Sequence, residues 1–404
     1  MPNALITPTK ITRTALAVLH EKLTIISQVN RSYDDDFMSE SGKIGNTLKL
    51  RLPNEYLTGT GKTVTVSDVT EKSVDLVMAN RNWVTMGFSA EELSLEIEDF
   101  TSRHIEPAMS KLASVIEAAF LDTVTPQVYN EVGTPGTTPN DIDIFLAAKE
   151  RLNQMLAPKT NDRKINADSP TIRAMVKALS GLFQDSKSLG QQYVEGTMGR
   201  ASGFDWFENE RIHVHTNGDN VVSAGPVLDT FTFTDGISAI NVTGLGATKT
   251  VKAGSVFTVA GVYAVHPETK QAYSWLKQFV VTEDVISTGG GAATIKIDPT
   301  IYLSTNPRQN VSAVPATDAA LIFRGAASIA YGQNLAFTKD AFAFVSGDLY
   351  LPKGIDMGAR ERMDGISMRL ARDWNVISDD LVTRIDVIWG AKAIRPELAV
   401  RITK

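Results

Sequence analysis

Of the five histidines in the chain, only two are close neighbours. His213 and His215 stand two positions apart in a stretch that reads as a strand, so both imidazoles face one side and could share a metal ion. Two ligands do not make a site, and no third can be picked out, so no metal is expected. His20, His104 and His266 are isolated. The run Gly289-Gly290-Gly291 lacks the lysine and Ser/Thr of a phosphate-binding loop, and no helix follows it, so it reads as a turn. Glu91, Glu92, Glu96 and Glu98 cluster near an expected helix start, where carboxylates favour the positive end of the dipole. Acid–base catalysis there would need a pocket that the sequence does not supply. Asp34, Asp35 and Asp36 read as a solvated helix exit, since a cation site needs further oxygen ligands. The chain has no cysteine, which excludes disulfides, thiolate metal sites and thiol catalysis. The expectation is no catalytic residue, no cofactor and no metal: a protein that is not an enzyme.

Arg360, Arg362, Arg369 and Arg372 are dense near the C-terminus, but Glu361, Asp364 and Asp373 interleave with them. Salt bridges between subunits explain that mixture better than DNA contact. Net charge is −6, which argues against a dedicated nucleic-acid binder. The 404 residues are enough for two or three domains, and 43% are hydrophobic, so real cores are expected. Met1 to Lys10 carries no hydrophobic signal core, and no window approaches the roughly 18 apolar residues of a membrane span. A soluble protein made without export is expected.

These groups need elements to hold them. Leu16, Leu19, Leu23 and Ile26 fall at helical spacing inside an arm, 1–46. Residues 47–88 read as two long strands. Leu48, Leu50 and Leu52 alternate outward, Val74, Leu76 and Met78 alternate on the return, and Trp83 to Phe88 continues the ribbon. Its tip, Pro53 to Thr70, is too poor in apolar residues to build a core, so it is either a mobile loop or an element that a neighbouring molecule supports, and the second option is a first hint of an assembly protein. Ser89 with Glu92 matches a capping box at the start of a long helix, whose apolar stripe is Ile105, Met109, Leu112, Ile116 and Phe120. Pro107 predicts a kink or two successive helices. Asn140 is expected to cap a helix to about Leu156 that buries Phe145, Leu146, Leu152 and Met155. Ser169-Pro170 opens another, which stops at Gly181. From about Asn217 to Asn310 short strands alternate with glycine turns: Phe231 to Thr234, Ile240 to Thr243, Ser255 to Val265, Ala272 to Thr282 and Thr294 to Ile297. That texture predicts a small β-barrel or sandwich inserted into another domain. In 312–404, Ile366, Met368 and Leu370 mark one strand and Leu381 to Trp389 another, with a turn at Ser378, Asp379 and Asp380.

Three stretches carry a family resemblance: Glu195-Gly-Thr-Met-Gly-Arg-Ala-Ser-Gly-Phe-Asp205 leading into Ile212-His-Val-His-Thr-Asn-Gly218; Val251-Lys-Ala-Gly-Ser-Val-Phe-Thr-Val-Ala-Gly-Val262 followed by Gln278-Phe-Val-Val-Thr282; and Arg384-Ile-Asp-Val-Ile-Trp-Gly390 with Arg395-Pro-Glu397. Together they resemble the major capsid (coat) proteins of short-tailed bacteriophages of the P-twenty-two type. The resemblance implies an α+β chain with the HK-ninety-seven type of tailed-phage capsid fold and an inserted β-barrel domain. It implies an N-arm at 1–46, an extended loop at 47–88, a peripheral domain with the spine helix at 89–140, and an axial domain at 141–216 and 312–364. The inserted domain would be 217–311, and 365–404 would return to the peripheral domain.

The family also implies hexamers and pentamers of the chain in an icosahedral shell around double-stranded DNA. Its partners would be a scaffolding protein, a portal at one vertex and, on some shells, a decoration protein. The packaged DNA would be touched only weakly and non-specifically. Assembly would take place in the bacterial host cytoplasm, with the product in the virion and no membrane involved. Arg51, Lys62, Glu71, Lys72, Arg360, Glu361 and Arg362 are the candidate contacts between subunits. Some relatives crosslink their subunits through a lysine and an asparagine. Lys62 sits in the extended loop, but nothing in the sequence identifies an asparagine partner or a catalytic carboxylate, so crosslinking is not expected. The competing readings are an encapsulin-like compartment shell, which the extra β-rich region opposes, and a β-rich adhesion or carbohydrate-binding protein.

Overall fold

The computed structural model describes residues 8–32, 47–54, 56, 71–89, 104–159, 162–179, 198–219, 225–229, 234–303, 306–355, 357–375 and 380–404. In chain order the elements begin with α1 (Pro8–Lys22), β1 (Thr47–Arg51), β2 (Ser73–Val77), β3 (Asn80–Ser89), α2 (Glu106–Val124) and β4 (Glu131–Gly133). Next come α3 (Ile142–Gln154), β5 (Arg163–Ala167), α4 (Ser169–Leu179), β6 (Arg200–Ala201), β7 (Phe204–Glu208) and β8 (His213–Thr216). The middle holds β9 (Val227–Leu228), β10 (Ile237–Thr243), β11 (Thr250–Val251), β12 (Val256–Val265), β13 (Ala272–Val281), β14 (Val285–Ile286), β15 (Ala293–Ile301) and β16 (Leu321–Phe323). The chain closes with β17 (Ala330–Thr338), β18 (Phe342–Gly347), β19 (Met357–Met363), β20 (Ile366–Asn375), β21 (Asp380–Ala393) and β22 (Ala399–Thr403). Two compact units result. One is Met1–Leu50, Ser73–Phe120 and Phe342–Ile394; the other is Arg51–Lys72, Leu121–Ala341 and Arg395–Lys404.

In the first unit β21 is the centre of a five-stranded antiparallel sheet. Ile388 and Trp389 are paired on both edges, with β3 on one side and β18 on the other. Since β20 also borders β21 and carries β19 outside it, β21 is covered along its length. Alternation explains the faces. Ile385, Val387 and Trp389 point inward and are buried, as are Ile366, Met368 and Leu370 of β20. Phe344 stacks on Trp389 at 5.7 Å, and Phe120 of α2 meets Phe342 edge-on at 6.4 Å. The stripe expected on α1 is real: Leu16, Leu19, Leu23 and Ile26 are all buried, and the helix packs on β19 and β20. Where the chain leaves α1, the buried carboxylate of Glu117 accepts from the Ile25 amide at 2.8 Å and from the Thr24 hydroxyl at 3.0 Å, satisfying groups that would otherwise be orphaned.

Two expectations fail in this unit. Trp83 to Phe88 does not continue the β1–β2 ribbon, because β3 pairs instead along all ten residues with β21. Alternation fixes which side chains share a face and says nothing about which strand lies alongside. A Cβ on Gly390 would run into the Val77 carbonyl, so the glycine is what lets the chain pass β21 before β3 docks. Ser89 does not open a described helix: it is the last residue of β3, paired with Asp380. Glu92 and the other acidic residues of that cluster lie outside the described residues. The described helix runs on from a π turn at His104 and Ile105, immediately before Pro107, where a ring without an N–H needs room. The stripe Ile105, Met109, Leu112, Ile116 and Phe120 is buried as expected.

The second unit is built on a seven-stranded mixed sheet of order β4-β22-β17-β5-β7-β6, with β8 also on β17. Tyr331 to Thr338 of β17 are buried without a break, so this strand is covered on both faces. Asp141, not Asn140, caps α3, its carboxylate accepting from the Asp143 amide at 3.0 Å. Phe145, Leu152 and Met155 are buried as expected, but Leu146 is exposed and Ala148 takes its place, because position 148 continues the Phe145–Leu152 face at helical spacing. Helix α4 begins at Ser169-Pro170 as expected.

The β-rich middle of this unit is a closed barrel. Its strands follow the order β16-β12-β13-β15-β10-β9, and the pairs are antiparallel. The ring closes where Leu228 and Ala319 share a 3.0 Å bond and the Leu321 amide reaches the Pro226 carbonyl at 2.8 Å. Inside lie Phe257, Phe279, Ile240, Ile295, Val281 and Leu321, all buried. Closure removes both sheet edges, which is how a module of this size avoids offering unpaired backbone. The closing strand β16 follows the 217–311 span. Gly289, Gly290 and Gly291 form the turn expected of them, with Gly291 at φ +80° against Gly246.

Candidate assembly surfaces

The arginines of the first unit are organised around two aspartates. Asp386 on β21 is fully buried and accepts from Arg384 at 2.7 Å, from Arg81 of β3 at 3.1 Å and from Arg369 of β20. Burial pushes its carboxyl up, but the hydrogen bonds from Arg369, Arg81 and Arg384 more than reverse this and hold it below the usual carboxylate range. Asp348, just past β18, takes Arg362 through its Nε at 2.8 Å, Arg360 at 3.5 Å and the Ser367 hydroxyl at 2.6 Å. Arg369 also donates to the Tyr350 carbonyl at 2.6 Å. Strand geometry explains the gathering. Asp386, Arg369 and Arg360 are cross-strand neighbours, so one row of the pleat brings them together.

Of the residues expected to meet other subunits, Arg360 and Arg362 thus share Asp348, and Glu361 pairs with Arg13 of α1 at 3.5 Å. Arg51 pairs with Glu71 at 3.6 Å, both well exposed, and the Lys72 carbonyl accepts from the Leu52 amide at 2.8 Å. Lys62 lies outside the described residues. Sequence reading missed Asp348, Asp386 and Arg81, whose roles appear only when distant strands are paired. Asp364, expected among the charges that bridge subunits, lies in the β19–β20 turn and holds both His20 and Arg31 of the same chain at 2.7 Å, which ties the N-terminal segment down.

In the second unit the barrel is joined to the mixed sheet by buried polar groups. The Gln278 amide pairs with the backbone of Glu131 in both directions, at 2.9 and 2.8 Å, as a strand neighbour would. Arg401 of β22 is fully buried. Its guanidinium donates to the carbonyls of Val128 and Gly254, at 2.5 and 2.8 Å, and to the Gln333 side chain at 3.2 Å. Arg324 reaches the buried Glu131 carboxylate at 2.8 Å. Lys277 lies over the Tyr129 ring at 4.7 Å, and burial, then the Arg151 charge, lowers its pKa to about 8. Tyr129, Val256 and Val280 add a small apolar cluster. A joint made of directional bonds fixes an orientation, which a greasy contact does not.

His213 and His215 belong to this joint. His213 Nδ1 is 2.7 Å from Asp122, and His215 Nε2 is 3.2 Å from the Ser255 hydroxyl. Burial, then the charges of Arg401 and His213, lowers the His215 pKa to about 4. The positive charge of the buried Arg401 guanidinium, which acts on His215, disfavours a metal cation there. Among the described residues no three His, Cys, Asp or Glu side chains gather as metal ligands. No described helix is long and apolar enough to cross a membrane.

The described residues of each unit thus offer charged and strand-bearing surface. Among solved structures the chain is similar to one titled Mycobacterium phage Che8, at 12% identity over 94% of this chain and 90% of that one, with a TM-score of 0.48. It is similar to a chain of the bacteriophage PhiM1 mature capsid, at 8% identity over 89% and 82%, TM-score 0.44. It is similar over 26% of its length to 97% of the CUS-3 coat protein I-domain, at 22% identity and a TM-score of 0.20. No curated protein sequence matches. A family profile does match, across residues 16–403, and it describes a coat protein. The class is thus a structural protein of a bacteriophage, the major capsid protein that forms the icosahedral shell of the virion by self-association. The family is that described as P22 coat protein, gene protein 5, and the chain belongs to it.

Proposed function

We propose that the chain assembles as hexamers and pentamers into a closed icosahedral shell around packaged double-stranded DNA, without catalysing a reaction. A scaffolding protein directs the assembly and a portal occupies one vertex; a decoration protein is a partner on some shells of the family. Assembly takes place in the cytoplasm of a bacterial host. In this reading 1–46 is the N-arm, 47–88 the extended loop, and 89–140 with 365–404 the peripheral domain. The axial domain is split around an inserted barrel. Arg51, Lys62, Glu71, Lys72, Arg360, Glu361 and Arg362 lie at subunit contacts.

The observation that carries the reading is the coat-protein family match from residue 16 to residue 403. Closed rings need heterologous contacts, and many weak ones suffice because they act together. The β1–β2 ribbon pairs with no third strand among the described residues, which suits an element that is completed by a neighbour. Deleting residues 54–70 should leave a soluble subunit that forms no particles in negative-stain micrographs. Normal shells from that variant would sink the loop's role.

A further inference from the structure

One face of the five-stranded sheet in the first unit is left unexplained by folding alone. Its inner rows, such as Val84, Ile385, Leu370 and Ala359, face the core. Its outer row runs Trp83, Asp386, Arg369 and Arg360 straight across β3, β21, β20 and β19. Arg81, Arg384 and Arg362 flank it. Five arginines therefore stand on this face against three carboxylates, Asp386, Asp348 and Asp373, among its described side chains. Trp83 is 55% exposed, with the Arg384 guanidinium 5.3 Å from its ring centre. Arg81 and Arg384 each remain 40% exposed.

We propose that this face is an interface with a second copy of the chain, gripped through that copy's carboxylates. The proposal rests on the shell reading above and names one of its contact surfaces. Charge selects the partner. The chain as a whole carries −6, so the residues outside this net-positive face sum to a negative charge, and a second copy brings an excess of carboxylates to it. The residue types agree. The cations are arginines held in fixed orientation by Asp386 and Asp348, which suits bidentate capture of a carboxylate. An exposed tryptophan beside arginine is the composition of interface hot spots. A nucleic acid fits less well, because the three carboxylates interrupt the cationic surface that a run of phosphates would follow.

The test places a photo-crosslinker in the row. Subunits with Trp83→p-benzoylphenylalanine are assembled, irradiated and run on a denaturing gel, and the adducts are mapped by mass spectrometry. The expected result is a chain-to-chain adduct whose partner peptide contains Asp or Glu. Particles that yield no such adduct, or adducts only with nucleic acid, overturn the proposal. Wild-type subunits that form no particles overturn the shell reading and this proposal with it. Because the side chain is exposed, Trp83→Ser should melt like wild type yet need at least about tenfold more subunit to assemble, the effect of losing one interface anchor. An unchanged threshold concentration for assembly overturns the proposal.

Discussion

Arg81 and Asp386 are 305 positions apart in the sequence, yet the guanidinium of the first donates to the carboxylate of the second at 3.1 Å. The bond joins β3 to the central strand of the first unit. Arg369 and Arg384 share the same carboxylate, so one buried aspartate gathers positive charge from three strands.

Asp386→Asn keeps the shape and removes the charge. Three arginines then crowd one another without a counter-ion, and the subunit should lose about 3–5 kcal/mol, the usual cost of breaking a buried pair. Denaturant titration of the unassembled subunit reads this directly, and a loss under about 1 kcal/mol would contradict it. Because the folded carboxyl titrates below its ordinary value of about 3.9, its contribution is complete above that pH and is lost as pH falls through the depressed folded value.

A second acid-sensitive group sits at a higher pH. His215 titrates at about 4 in the folded protein and near 6.5 when exposed, so the unfolded chain takes up the proton first. Stability is therefore full above about 6.5 and falls as pH drops from there towards about 4, by roughly 3 kcal/mol in total. The groups around the imidazole are Arg401, His213, Asp284, Ser255, Tyr331 and Asn217. Denaturation midpoints at pH 7 and pH 4.5 should converge in His215→Gln compared with wild type. Equal pH slopes in the two proteins would refute the assignment.

Arg401→Ala should destabilise the joint between barrel and mixed sheet. The carbonyls of Val128 and Gly254 lose their donor, and each buried acceptor left unsatisfied costs about 1–3 kcal/mol. The expected result is a fall of about 3 kcal/mol or more in unfolding free energy. Hydrogen exchange should rise first in residues 126–133 and 254–256, where the lost bonds were; uniform exchange across the unit would argue against a local joint.

The barrel should fold by itself only if its closing strand is present. A fragment of residues 225–325 should give dispersed amide signals. A fragment of 217–311 should give a collapsed spectrum, because Leu228 loses its partners at 318–319 and Leu321 leaves the core. Dispersed spectra from both would mean that closure through β16 is dispensable.

Local patterns in the sequence determined much of this protein. The α1 stripe, the start of α4, the strands around Val256–Val265 and Ala272–Val281 and the turn at Gly291 follow from spacing and residue type, because each depends on neighbours within a turn or a strand. The order of the motifs also carried the family resemblance. Tertiary structure alone decided that β3 leaves the ribbon for β21, that Ser89 ends a strand, and that the barrel closes through Leu321–Phe323. It decided as well that Arg360 and Arg362 meet at Asp348 while Arg81, Arg369 and Arg384 meet at Asp386. Periodicity tells a side chain which face it occupies. Which strand lies beside it is set by burial and backbone pairing between segments hundreds of residues apart, and no local pattern encodes that choice.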